Sequence, residues 1–326
     1  MQPDLQQNNH LMADLREGFA FVAKNAKHVR IDYDALDQYV IRLHDVTDED
    51  LLSLEYHFIG TEEEIASYIL VLDAINFGSG YKDLLADEGW ALSQGDIYYT
   101  VSTLLKDQYN AHGALSADDL AAMQVEDVAK ILKLDLSRDK MAEFATLCTQ
   151  SISELGQFVQ DRYDGRILNL VHAAGGSCEQ LISVLSALRH FQDVHDYQGR
   201  EIPFLKRAQR VAIDLELAYN HIGKTLFDDL DKLTVSADNA VPHVLHMDGI
   251  LQYTPALQQK IDSHTLLPSG SDEEIEIRAM AGQAVELLAA LGKRRAIDID
   301  HILWHKSVEE DVYRTKPTHK TLTNFY

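Results

Sequence analysis

Two residues of this chain sit in settings that invite chemistry: a lysine on an apolar helix face and a carboxylate in an apolar turn. Phe204, Ala208, Val211, Leu215, Ala218 and Ile222 recur at the spacing of a buried helical stripe. On the other side, Ile213 and Leu217 project within about 20° of Lys206 at the α-helical rotation per residue. The segment therefore predicts a helix that is apolar on both faces, running through the middle of a domain. An ammonium buried there needs a carboxylate or an anionic ligand, unless it snorkels to solvent from the first turn. Arg207 and Asp214 share one side of this helix and read as a structural charge pair. Asp238 lies among Val235, Ala237, Ala240 and Val241, just ahead of Pro242, which biases Val241 towards extended or turn backbone. Such a carboxylate is either a helix N-cap or a functional acid.

Fifteen histidines raise a metal hypothesis. His190 and His195 flank a short segment ending in His195-Asp196, the dipeptide of helical metal-dependent phosphohydrolases, and His301 and His305 lie one helical turn apart. His-Asp is followed at once by the turn Tyr197-Gln-Gly199, however, and no His-Glu-x-x-His occurs. His243/His246 and His301/His305 read as helix-surface pairs. With no glycine-rich phosphate loop and no Gly-x-Ser-x-Gly elbow, neither a metal nor a cofactor is expected.

The elements that must position these residues are helices almost from end to end. Thr61-Glu-Glu-Glu64, Ser116-Ala-Asp-Asp119 and Ser271-Asp-Glu-Glu274 are helix-start signals, the first and last of them capping boxes. Further amphipathic stretches cover Glu126–Leu134, Lys140–Tyr163 and Glu179–Phe191, and the helix begun at Ser271 stops near Gly292. Arg166–Val171 is the best short strand candidate. Gly175-Gly176 and Leu267–Ser271 read as turns. Leu11, Leu15, Phe19 and Val22 give residues 10–45 helical spacing that could cover one side of a pocket. The expected organisation is a mostly α, compact molecule, with an N-terminal helical extension over 1–50 packed on a domain over 51–326.

Composition narrows the partners. The 326 residues carry 29 Lys+Arg against 52 Asp+Glu, a formal net charge of −23. So acidic a chain repels polyphosphate, which argues against direct nucleic-acid binding, while a small anion in a locally basic pocket remains compatible. No apolar run approaches the roughly 20 residues of a spanning helix, and no basic start or apolar core of a signal peptide precedes Met12. Two cysteines, Cys148 and Cys178, make no disulfide framework. A cytoplasmic protein with no membrane contact is expected; its oligomeric state is left open.

The run Phe191-Gln-Asp-Val-His-Asp-Tyr197-Gln-Gly199, followed by Lys206-Arg207-Ala208-Gln209, resembles the queuosine salvage family, the queuosine 5′-phosphate N-glycosylase/hydrolases. The likeness continues through Leu233-Thr234, Ala237-Asp238, Val241-Pro242, Glu274-Ile-Glu276-Ile-Arg278-Ala279, Asp300, Leu303-Trp304 and the closing His319 to Tyr326. Weaker matches, among them Asp73-x-x-Asn76-Phe77, extend it over roughly residues 55–326. The Lys-Arg-Ala-Gln and Glu-x-Glu-x-Arg-Ala blocks, in order and at compatible spacing, make it specific.

That resemblance implies a helical fold related to the helix-hairpin-helix DNA glycosylases and an enzyme that cleaves a modified nucleotide's N-glycosidic bond. Asp238 would sit under C1′, stabilising an oxocarbenium-like transition state or attacking it, with Lys206 as the neighbouring cation. Substrate-binding candidates are Asn76, Phe77, Tyr81, Arg207, His243, Glu276, Asp300 and Trp304. Asp300, Glu276 and His243 would read the edge of the base, and Phe77, Tyr81 or Trp304 would stack on it. The chain departs from the family where substrate would lie. Phe-Ala-Asp-Tyr-Arg is replaced by Ser236-Ala-Asp238-Asn239-Ala240, Val-Pro-Gln by Val241-Pro-His243, and an aromatic pair by Gly78-Ser-Gly80-Tyr81. These changes leave open the base, the need for a 5′-phosphate, a nucleosidase with another base, and a non-catalytic binding protein.

Overall fold

The computed structural model describes residues 10–43 and 55–326, and its secondary structure is mostly helical. The N-terminal part comprises α1 (Leu11–Asn25), β1 (Val29–Ile31) and α2 (Tyr33–Leu43). After it come α3 (Glu62–Ala74), α4 (Lys82–Asp87), α5 (Ile97–His112), α6 (Ala117–Ala122), α7 (Val125–Leu132), α8 (Asp139–Arg162), α9 (Ile167–His172) and α10 (Cys178–Leu185). A hairpin, β2 (Val194–Tyr197) and β3 (Arg200–Pro203), leads into α11 (Lys206–His221). The remainder is α12 (Ala240–Met247), β4 (Leu251–Tyr253), α13 (Pro255–Asp262), α14 (Asp272–Gly292), α15 (Ala296–Glu309) and α16 (Asp311–Arg314).

The starts follow from local chemistry. Glu64 accepts the Thr61 amide at 2.8 Å while its own amide donates to Thr61 Oγ1, and Ser116 and Asp119 do the same for α6. Ser271 accepts the Glu274 amide, but the Glu274 carboxylate does not close back on it. It accepts from the Gly270 amide and from Arg278 instead, because an arginine one turn along a buried helix offers the stronger partner.

Three helices form the interior. Every residue of α3 from Ile65 to Ala74 is buried, as is most of α11 and α14, the pattern of helices packed on all sides. α3 packs against α5, α8, α9 and α11; α14 packs against α1, α2, α12 and α15. The N-terminal helices share one apolar cluster with the rest, and β1 pairs antiparallel with β4, Ile31 opposite Leu251. The expected border between residues 50 and 51 lies outside the described residues. None of residues 10–43 lines the main cavity, contrary to expectation, because Met12, Leu15, Phe19 and Val22 are spent on the interface with the body of the molecule.

Two local expectations are corrected. Arg166–Val171 is not a strand: Ile167, Leu170 and Val171 are buried at helical spacing in α9, and so short an apolar run does not separate the two periods. The nearest strands are β2 and β3, joined by Gln198-Gly199, both with positive φ (54° and 81°), the two-residue turn that matches strand twist. The stretch Glu179–Phe191 is interrupted as well. α10 ends at Leu185 because the Glu154 carboxylate takes the amides of Arg189 and His190 at 2.8 and 3.1 Å and holds them in a separate turn. Among the described residues no helix is long and apolar enough to cross a membrane.

Candidate active site

Lys206 opens α11, preceded by Leu205 in the left-handed region (φ 51°), and its side chain is buried. Its ammonium lies 3.9 Å from Asp238 Oδ2 and donates to the carbonyl and the side-chain oxygen of Asn76 at 3.2 and 3.3 Å. The Asn76 amide nitrogen donates to Asp73 Oδ1 at 3.0 Å, which fixes its oxygen towards the lysine. Burial pulls the Lys206 ammonium below its usual range, against the Asp238 charge, which favours its protonation. Burial, with Asp214 next, pushes Asp73 above the ordinary carboxylate range. Of the two alternatives for this lysine, solvent escape does not occur; it has its carboxylate.

Asp238 is held from both sides. Its Oδ1 accepts the Ala240 amide at 2.8 Å while Oδ2 faces Lys206; the N-cap of α12 is Asn239, so Asp238 stands one residue before the capping position. The preceding carbonyl, Ala237, accepts from Arg278 Nε at 2.8 Å. Arg278, fully buried on α14, also donates to Asp193 at 3.0 Å and to Glu274 at 3.2 Å, with its guanidinium between the Phe204 and Tyr326 rings. Burial pushes the Asp193 carboxyl up, but Arg278 and His195 outweigh it and hold it at about 2. The arginine thus ties the β2 hairpin, α14 and the loop bearing Asp238 into one unit.

These residues face a cavity of about 400 Å³. Asn76, Phe77, Lys206, Asp238, His243, Asp300 and Trp304 line it, so the structure brings together seven of the sequence-derived candidates. Asp300 Oδ1 accepts the Ser236 amide at 3.2 Å; burial, with the Asp238 charge, pushes this carboxyl up to about 7. His243 Nε2 lies 2.9 Å from the Tyr313 carbonyl, which requires the proton on Nε2 and leaves Nδ1 as an acceptor. Burial lowers the basicity of His243 and takes His301 down to about 3, so both rings are neutral at physiological pH.

Three candidates lie elsewhere. Tyr81 donates to Glu143 at 2.8 Å and packs on Phe144. Arg207 is bonded to the Ala74 carbonyl and to Ser151, with Phe77 and Phe191 on its faces; it does not pair with Asp214, whose partner is Arg210. One helical turn, from 210 to 214, brings those two together more directly than two turns would. Glu276 is fully buried, accepting from the Lys27, His28 and Val29 amides and from the Tyr197 hydroxyl. It fastens β1 and the hairpin to α14, and no valence is left for a base edge.

Sequence reasoning missed several lining residues. Arg210 reaches the cavity from α11, beyond the lysine that drew attention to that helix. Tyr98 and Tyr99 pack on Trp304 with ring centres at 5.6 Å, making an aromatic wall from α5 and α15. The only signal in the sequence is a Tyr-Tyr pair just after the cap Asp96. Ser79, Lys82, Lys316 and Lys320 also line the cavity, with Lys320 paired to Asp83, and Ser79 Oγ is buried without a hydrogen-bond partner. Among the described residues no cluster of three or more His, Cys, Asp or Glu could hold a metal.

Comparison with known proteins places this geometry in context. A family model described as "Queuosine salvage protein" matches residues 56–326. A Sphaerobacter thermophilus protein named queuosine 5′-phosphate N-glycosylase/hydrolase is 34% identical, with 94% of this chain and 95% of that protein aligned. Proteins of the same name from Dictyostelium discoideum and Mus musculus are 29% and 26% identical, covering 96% and 95% of this chain and 98% of each relative.

Proposed function

Because this chain belongs to the queuosine salvage protein family, we propose that it is an N-glycosyl hydrolase that releases the base from a queuosine-like nucleoside 5′-monophosphate. The observation that carries this is the buried Lys206–Asp238 pair, 3.9 Å apart in a cavity large enough for a nucleotide's reacting half.

Asp238 works at the sugar. As the C1′–N bond lengthens, positive charge grows at C1′, and a carboxylate held there stabilises it or attacks. Lys206 is the cation beside Asp238, and Asn76 keeps the lysine in place. A 7-deazaguanine has carbon where a purine has N7, so it cannot be activated by protonation there, and more of the barrier falls on this charge stabilisation. His243 and Asp300 are suited to the base edge, and Trp304, with Tyr98 and Tyr99, to its face. Lys82 and Lys316, with the Ser79 hydroxyl that has no partner, suit a 5′-phosphate. A small anionic ligand fits an acidic chain with one basic mouth better than a nucleic acid does.

The relation to the helix-hairpin-helix glycosylases and the division at residues 50/51 belong to the same reading. Two sets of helices meeting at a cleft that holds an acid and a lysine support the first, and the family match beginning at residue 56 supports the second. Two buried free thiols, Cys148 and Cys178, suit the reducing cytoplasm.

The test is mass spectrometry of purified protein, without added metal, on queuosine 5′-monophosphate and queuosine in parallel. Free queuine should appear with wild type and fall by about 10³-fold or more with Asp238→Asn, the fold remaining intact by circular dichroism. Tight binding of the nucleotide without turnover would overturn the reading in favour of a binding protein.

A further inference from the structure

Asp300 shares the cavity with Asp238 and reaches it from a different element, α15. Its Oδ1 is taken by the Ser236 amide, two residues before Asp238, so the two carboxyl groups are tied through one loop. An N–H offers no site for a proton, so a proton on Asp300 resides on Oδ2. Resting on the N-glycosidase reading above, we propose that Asp300 is the general acid of the reaction and delivers its Oδ2 proton to the departing base.

The step balances with water alone. The C1′–N bond breaks with its electron pair going to the base, and the Asp300 proton neutralises the base as it leaves. Water supplies a hydroxyl to C1′, and the proton it releases makes good, through solvent, the one Asp300 gave. A base without N7 needs such a donor more than a purine does, because its anion is the poorer leaving group. Paired carboxyls with separated environments are how one site supplies acid and base at the same pH. Here Asp238 has Lys206 as its cation, whereas Asp300 is buried at 4% exposure with Asp238 as its charged neighbour.

The titratable groups facing Asp300 come from each element packed around it. Arg210 on α11 opposes the burial and the Asp238 charge that push the carboxyl up to about 7. His243 on α12 and His301 on α15 have basicities lowered by burial. Tyr98 on α5 and Tyr313 on α16 are phenols pushed up, so they are neutral, and Arg278 on α14 is committed to Asp193, Glu274 and Ala237. Only Asp300 among them can give a proton near neutrality.

The experiment compares queuosine 5′-monophosphate with p-nitrophenyl β-D-ribofuranoside 5-phosphate, whose leaving group needs no proton. Wild-type kcat on the nucleotide should fall as pH rises through about 7, as the acid is lost. No such fall should appear on the aryl riboside. Asp300→Asn should lose about 10²-fold more activity on the nucleotide than on the aryl riboside. Equal losses on the two substrates, or the same high-pH fall with both in wild type, would overturn the assignment while leaving the hydrolase reading standing. Should Asp300→Asn not fold, the wild-type pH profiles decide alone. Wild type that cleaves neither substrate would overturn both readings.

Discussion

At the scale of single residues, the site is a competition between desolvation and charge pairing. Lys206 and Asp238 are each expensive to bury alone and tolerable together. Lys206→Met should therefore lower kcat by about 10²-fold, because it leaves the Asp238 carboxylate buried without its cation. A rise in KM with kcat unchanged, seen in steady-state kinetics, would argue that the lysine binds substrate instead. Asp300 has a consequence for stability as well. Its folded-state value of about 7 lies above the ordinary carboxylate value of about 3.9, so the folded chain binds this proton more tightly than the unfolded one. The associated stability is present below about pH 4 and is lost as pH rises through about 7. The Tm of Asp300→Asn relative to wild type should accordingly rise between pH 5 and pH 8, which thermal unfolding at a series of pH values would check.

At the scale of elements, the loop bearing Asp238 has no regular structure of its own and borrows its rigidity. Arg278, on a helix whose neighbours are buried all round, grips the carbonyl beside Asp238 while pairing with Asp193 and Glu274. Arg278→Met would leave two buried carboxylates without their cation and should destabilise the protein by about 3–5 kcal/mol, measured by denaturant unfolding. The segment after α16 is held by close backbone approach. A Cβ on Gly80 would lie 2.0 Å from the Thr321 carbonyl oxygen, and the Gly78 amide donates to the Tyr326 carbonyl at 2.9 Å. Since Lys316 to Lys320 form part of the cavity mouth, Gly80→Ala should displace that segment and raise KM for the phosphorylated substrate several-fold, with kcat less affected.

At the scale of the whole molecule, a chain of net charge −23 nonetheless brings Lys82, Lys206, Arg210 and Lys316 to one cavity. The N-terminal part contributes stability without touching the cavity: α1 and α2 cover α14, and Glu276 receives three amides from the turn between α1 and β1. Deleting residues 1–43 should expose the apolar face of α14 and leave the Glu276 carboxylate with only the Tyr197 hydroxyl of its present partners. The expected result is a protein that loses cooperative thermal unfolding, checked by calorimetry. A truncated chain with unchanged Tm would show instead that these helices are an independent appendage.

What the sequence determined by itself is whatever depends on short range. Caps, helical stripes, the Tyr197-Gln-Gly199 turn and the anomaly of a lysine on an apolar face are legible because each is set by residues within a turn or two of one another. The family resemblance then pointed to Asp238 as that lysine's partner, and the structure brings the two together. The tertiary structure alone decided how the polar side chains spend their hydrogen bonds. Glu276, Arg207 and Tyr81 have the right chemistry for a binding site, but each finds a partner 56 to 249 residues away, in Lys27, Ser151 and Glu143. Conversely, Arg210 carries no mark in the sequence, and Tyr98 and Tyr99 only that of an aromatic pair after a helix cap, yet all three reach the cavity. The physical reason is that burial and charge act through space: whether a carboxylate is an acid, an anchor or a cap is settled by what lies within hydrogen-bond reach of it, and only folding sets that.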